Sequence, residues 1–199
     1  DRVYFERLRE HAAGARLDAA VLLACDGVHD DAGRPLPAPG MPYVPNDHAL
    51  HFAKAHPGFL AGVSIHPARP DALDELERCL EGGAALLKLL PNCHNVDCGR
   101  PAYRKFWERM AGAGLPFLAH TGGELLLPSV RSELADPRRL RLPLDCGVTV
   151  IAAHCGTRAT PFDRDYFEVF REMLPAHPNL YGDLSAMNHP IRSERLADC

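Results

Sequence analysis

The chain has 199 residues, 46% hydrophobic and 24% charged, with a formal charge of −4, a balance that supports one sizeable core. No Lys/Arg block supplies the basic field that nucleic acid or an anionic membrane surface would need. No apolar run approaches the length of a transmembrane helix, and the N-terminus lacks the basic and apolar regions of a signal peptide.

Taken in order, Tyr4, Phe5, Leu8 and Ala12 recur at helical spacing and predict a helix over 2–13. Residues 18–25 read as a buried strand. The stretch 26–47, rich in Asp, Gly and Pro, reads as a long loop of the functional or mobile kind. Asp47 is placed to cap a short helix reaching His56. A strand over 59–65 closes on His66-Pro67, and Pro70 suits the first turn of a helix carrying Leu73, Leu76 and Leu80 on one face. Residues 84–89 form a strand with Lys88 in its interior, followed by a loop over 91–99. Pro101 opens a helix with an apolar stripe of Tyr103, Phe106, Trp107 and Met110. A strand runs to His120, and a second long loop leads to Asp136-Pro137, an N-cap and first helical residue. The strand ending at His154 follows. Asp163 or Asp165 then caps a helix with Phe167, Phe170 and Leu174. A last strand covers 180–185, and Pro190 opens a final short helix.

These strands are continuous apolar runs, as strands are when a parallel sheet is covered on both faces, and they recur about every 30 residues, the length of a βα unit. No glycine-rich phosphate loop follows the first strand, which argues against a dinucleotide-binding open sheet. Polar residues gather instead at the C-terminal ends of many strands: Asp26, His66, Lys88, His120, His154 and Asp183. Barrel enzymes build their sites that way. The predicted fold is α/β, a TIM-type (β/α)8 barrel that is incomplete, with about six βα units as strands two to seven of the eight, in a single partial domain over 1–199. Asp1 and Cys199 both fall in helical patterns, so the chain reads as an internal piece of a longer protein.

The seven cysteines are odd in number and mostly sit inside apolar runs, which predicts reduced thiols and a cytoplasmic setting. Cys93, His94 and Cys98 look like half a zinc knuckle, but no second Cys pair follows at finger-like spacing.

The chemistry centres on two histidines, each ending a buried strand before a glycine-containing turn: His120 in Ala119-His120-Thr121-Gly122 and His154 in Ala153-His154-Cys155-Gly156. A lone strand-end histidine is more often structural. The repeated pair predicts metal ligands, since neutral imidazole suits zinc and similar divalent ions. By strand alternation His120 points with Leu118 into the barrel, Lys88 with Leu86, Asp183 with Tyr181, and His154 with Ala152 and Val150, whose small size would leave room for an ion. Lys88, a charge in an apolar strand, either reaches the barrel mouth or takes a direct catalytic role. Asp183 either orients a ligand histidine or bonds its own turn. His66, Glu124 and Arg158 are candidate substrate contacts, Arg158 as a clamp for a carboxylate. His94 is weaker.

Several stretches, in this order and spacing, resemble the metal-dependent amidohydrolase superfamily and its amidohydrolase-related branch. They are Gly83 to Pro91, Gly114 to Gly122, Val150 to Gly156 and Pro178 to Ala186. The resemblance implies a (β/α)8 barrel holding one or two divalent ions, Zn in our reading. His120 and His154 would be the ligands of strands five and six. It also implies a His-x-His pair on strand one and an Asp on strand eight, and this sequence contains neither. Lys88 sits where some branches carry a carbamylated lysine. The implied activity is hydrolysis of an amide, lactone or related bond of a small-molecule substrate. Non-oxidative decarboxylation on the same scaffold is the alternative, and an inactive piece lacking the remaining ligands a third. No nucleic-acid or membrane partner is expected; a homo-oligomer is compatible with the sequence.

Overall fold

The computed structural model describes residues 2–15 and 17–198. The chain ends Asp1 and Cys199 lie outside the described residues. Helix α1 (Arg2–Gly14) leads into β1 (Ala20–Leu23). Then come α2 (Asn46–Ala55), β2 (Phe59–Val63), α3 (Ala72–Glu81), β3 (Ala84–Leu89), α4 (Pro91–His94) and α5 (Arg104–Gly112). The order ends with β4 (Phe117–His120), α6 (Arg141–Asp145), β5 (Val150–Ala153), α7 (Phe167–Met173), β6 (Leu180–Gly182) and α8 (Pro190–Ser193).

The six strands form one parallel sheet in the order β1-β2-β3-β4-β5-β6. A doubly wound sheet reverses its strand order at a switch point; this one never reverses, which is the topology of consecutive βα units of a (β/α)8 barrel. Among the described residues β6 and β1 do not pair, so the barrel is open along that side.

Register separates the two faces. Leu87, Phe117 and Val150 pair across neighbouring strands and lie buried under the helices, where the Trp107 ring of α5 stacks on Phe117 at 5.1 Å. The alternate row is the barrel interior: Lys88 pairs with Leu118, Leu118 with Ile151, and Ile151 with Tyr181. Because the barrel is open, this inner row is less covered, with Val21 39%, Leu60 45% and Tyr181 54% exposed. Gly62 belongs to the inner row: a Cβ there would lie 2.6 Å from Leu23 and 3.0 Å from Leu86, so its absence lets those side chains fill the interior.

The structure corrects several local expectations. The 91–99 stretch is not an open loop: its first four residues form α4, all buried, because Leu90 N–H finds an acceptor in His94 Nδ1 (3.1 Å) and Asn95 turns the chain with φ 65°. The 26–47 loop is tied back by bridges between Cys25 and Val44 and between His29 and Pro35. Asp47 does not cap α2; it lies in the first turn and pairs with Arg78. No disulfide links the six described cysteines. No helix among the described residues is long and apolar enough to cross a membrane.

Candidate metal centre

β4 ends on His120, which pairs in register with Ala153 of β5, so both point into the barrel. The expected alternation of His154 with Ala152 and Val150 is overturned. Ala152 and Val150 pair with Ala119 and Phe117 on the helix-covered face, and strict alternation would bury His154 there too. Instead His154 and Cys155 take left-handed backbone, φ 63° and 51°. This conformation costs on the order of 1–3 kcal/mol per non-glycine residue and concentrates at functional sites. The turn brings the His154 ring edge-to-face with His120, centroids 5.0 Å apart.

Each ring has a nitrogen free to accept a ligand. His154 Nδ1 donates to the Ser185 carbonyl (2.8 Å), which leaves the Nε2 lone pair open. His120 Nε2 is buried with no hydrogen-bond partner, an arrangement that needs an explanation. Burial, then the positive charge of Lys88 and the neighbouring imidazole, hold His120 well below its ordinary pKa of 6.5. Burial likewise lowers His154. Both are therefore neutral near pH 7, the state in which imidazole binds a metal.

Glu124 sits in the turn after β4. Its Oε2 lies 3.6 Å from His120 Nε2, while Oε1 accepts from the N–H groups of Leu126 (2.7 Å) and Leu127 (3.1 Å). The side chain is only 10% exposed. Asp183 stands behind the His154 turn. It accepts from the backbone N–H of His154 and of Ser185, each at 3.0 Å, and from the Ser185 hydroxyl. Burial alone would raise its pKa, but these hydrogen bonds outweigh it and hold the carboxyl below its ordinary value. Lys88 lies in the inner row between strands. Dehydration, opposed by the charges of Asp183 and Glu124, lowers its ammonium to about 8.

His66 and Arg158 are not brought to this pair. His66 is fully buried beside His29, rings 5.0 Å apart, with its Nδ1 accepting from Ala68 N–H and its backbone N–H donating to Asp26. Burial takes its pKa down to about 3. His94 joins that side of the mouth, with Nε2 3.4 Å from Cys25 Sγ and a pKa lowered by burial to about 4. Arg158 pairs with Glu194 at 3.3 Å near the surface. The buried guanidinium near the histidines is instead Arg192, which no local pattern marked.

Among the described residues no group of three or more His, Cys, Asp or Glu side chains is arranged to hold a metal. The two imidazoles are of a donor type that divalent ions take, and they stand side by side at the strand ends.

Comparison with known proteins identifies the fold and the family. A TIM-barrel protein of unassigned function from Bordetella bronchiseptica superposes with a TM-score of 0.72 at 20% identity, covering 97% of this chain and 64% of that one. The chain thus spans less than two thirds of that protein's length, and the likeness establishes the fold. Two more distant structures align less well. A 2,6-dihydroxybenzoate decarboxylase from Rhizobium gives a TM-score of 0.44 at 21% identity, over 56% of this chain and 43% of that one. A Pseudomonas putida protein described as a 2-pyrone-4,6-dicarboxylic acid hydrolase gives 0.45 at 16% identity, over 86% and 70%. No curated protein matches the sequence. The family model described as amidohydrolase matches residues 6–196, and the chain belongs to that family.

Proposed function

We propose that the protein is a metal-dependent hydrolase that opens an amide, lactone or related carbonyl bond of a small molecule. The observation that carries this reading is the pair of imidazoles, His120 and His154, with ring centroids 5.0 Å apart at the strand ends of an amidohydrolase-family barrel, His120 Nε2 buried without a hydrogen-bond partner and His154 held through Nδ1. A divalent ion, taken here as zinc, supplies Lewis acidity when bound.

His120 and His154 would hold that ion through Nε2. Asp183 acts through His154: by accepting from its backbone N–H it keeps the left-handed turn in place. Lys88, mostly protonated at neutral pH, donates toward the carbonyl oxygen as negative charge builds there. Glu124 keeps one carboxylate oxygen anchored and offers the other to a substrate N–H or O–H.

The test is an assay of the full-length protein against a panel of lactones, esters and amides, with carbon dioxide release from aromatic acids measured in parallel. Chelator-sensitive hydrolysis that disappears in His120→Ala and His154→Ala is the expected result. Carbon dioxide release without hydrolysis would make the protein a lyase and overturn the proposal.

A further inference from the structure

The last described segment reaches back over both histidine turns. Arg192, in α8, is 5% exposed, although a guanidinium is among the costlier groups to bury. Its two terminal nitrogens go to different turns. Nη2 donates to the Gly123 carbonyl at 2.7 Å, three residues past His120. Nη1 donates to Thr157 Oγ1 at 3.1 Å, three residues past His154. Thr157 Oγ1 in turn donates to the His154 carbonyl at 2.8 Å, and Gly123 N–H donates to the Thr157 carbonyl at 3.0 Å. The planar fork of a guanidinium can span two such acceptors in fixed geometry; a lysine ammonium cannot reproduce it.

The segment around Arg192 is itself strapped down. Glu194 pairs with Arg158 at 3.3 Å, and Arg195 pairs with Asp165 at 3.0 Å. Both acceptors of Arg192 are neutral, so for stability alone this burial is a weak device. What it fixes is the relation between the two turns that carry His120 and His154.

We infer that Arg192 is a positioning residue for the metal centre. It sets the spacing of the His120 and His154 turns, so divalent-ion affinity depends on docking of the segment that carries it. The inference rests on the proposal that the two imidazoles hold the ion.

The experiment titrates the full-length protein with Co2+ alone, followed by its visible absorption bands, for wild type, Arg192→Ala, Arg192→Lys and the His120→Ala/His154→Ala double variant. Loss of a residue that orients metal ligands typically weakens binding roughly 10–100-fold, and that loss is expected in Arg192→Ala, with shifted cobalt bands and an unchanged far-ultraviolet circular dichroism spectrum. Millimolar methylguanidinium should restore binding to Arg192→Ala, and Arg192→Lys should not recover it. Should Arg192→Ala fail to fold, Arg192→Lys decides, because it keeps the charge and loses the fork that spans both turns; weakened cobalt binding supports the inference and unchanged binding overturns it. Wild-type affinity and spectrum in Arg192→Ala, with binding lost in the double histidine variant, would overturn the role of Arg192 alone. Equal binding by wild type and the double histidine variant would overturn the metal reading and this inference with it.

Discussion

Lys88 shows how a single residue's surroundings set its chemistry. Dehydration in the inner row brings its ammonium from 10.5 to about 8 despite the nearby carboxylates. Nuclear magnetic resonance of 13C-methylated lysines in the protein should therefore show one resonance titrating near pH 8, absent in Lys88→Met. A resonance titrating with the surface lysines would contradict this placement. The inward direction of Lys88 and of His120 was legible from strand alternation, because both lie in regular β structure whose period is two. The direction of His154 was not legible, since nothing in an apolar run encodes the left-handed backbone that turns it. Arg192 left no trace in the sequence. Its burial is created by turns about 35 and 69 positions away in the chain, and in sequence it reads as an ordinary charged residue of a short helix.

The elements were mostly legible, because the six strands are apolar runs punctuated by Gly and Pro. The α4 turn was not: Pro91-Asn92-Cys93-His94 has loop composition, and the buried helical turn it forms is closed by the His94 acceptor for Leu90 N–H and the left-handed Asn95. The β4–β5 pair is the element on which the site depends. Gly122 follows His120 with φ 79°, and a Cβ there would lie 2.1 Å from the Thr157 carbonyl oxygen. Gly122→Ala should destabilise the fold by more than the ~1–2 kcal/mol of left-handed strain alone, and should weaken metal binding by spreading the two turns. Thermal unfolding together with metal titration checks both; a fully stable variant with tight binding would contradict the close approach of the turns. Phe117→Ala removes the ring stacked under Trp107 and should cost about 3–5 kcal/mol in denaturant unfolding.

At the scale of the whole molecule, two buried histidines make stability depend on acid. His66 and His94 have folded pKa values of about 3 and about 4, below the ordinary 6.5. Below pH 6.5 the unfolded chain takes up protons that the folded chain refuses. Their contribution is thus complete above that pH and falls away as the pH drops toward 4 and then 3. Urea unfolding from pH 7 to 4 should show this loss, and His66→Asn should flatten the profile; identical slopes would contradict it. The open barrel adds a second consequence. With inner-face Val21, Leu60 and Tyr181 exposed and, among the described residues, the outer edges of β1 and β6 unpaired, a polypeptide of these 199 residues alone should self-associate, and light scattering that finds only monomer would contradict this. The central claim is that His120 and His154 hold a divalent ion, and metal content tests it most directly. Full-length protein purified in parallel with its His120→Ala/His154→Ala variant should carry zinc or a similar ion that the variant has lost at equal folded yield. Equal metal content in the two would contradict the account.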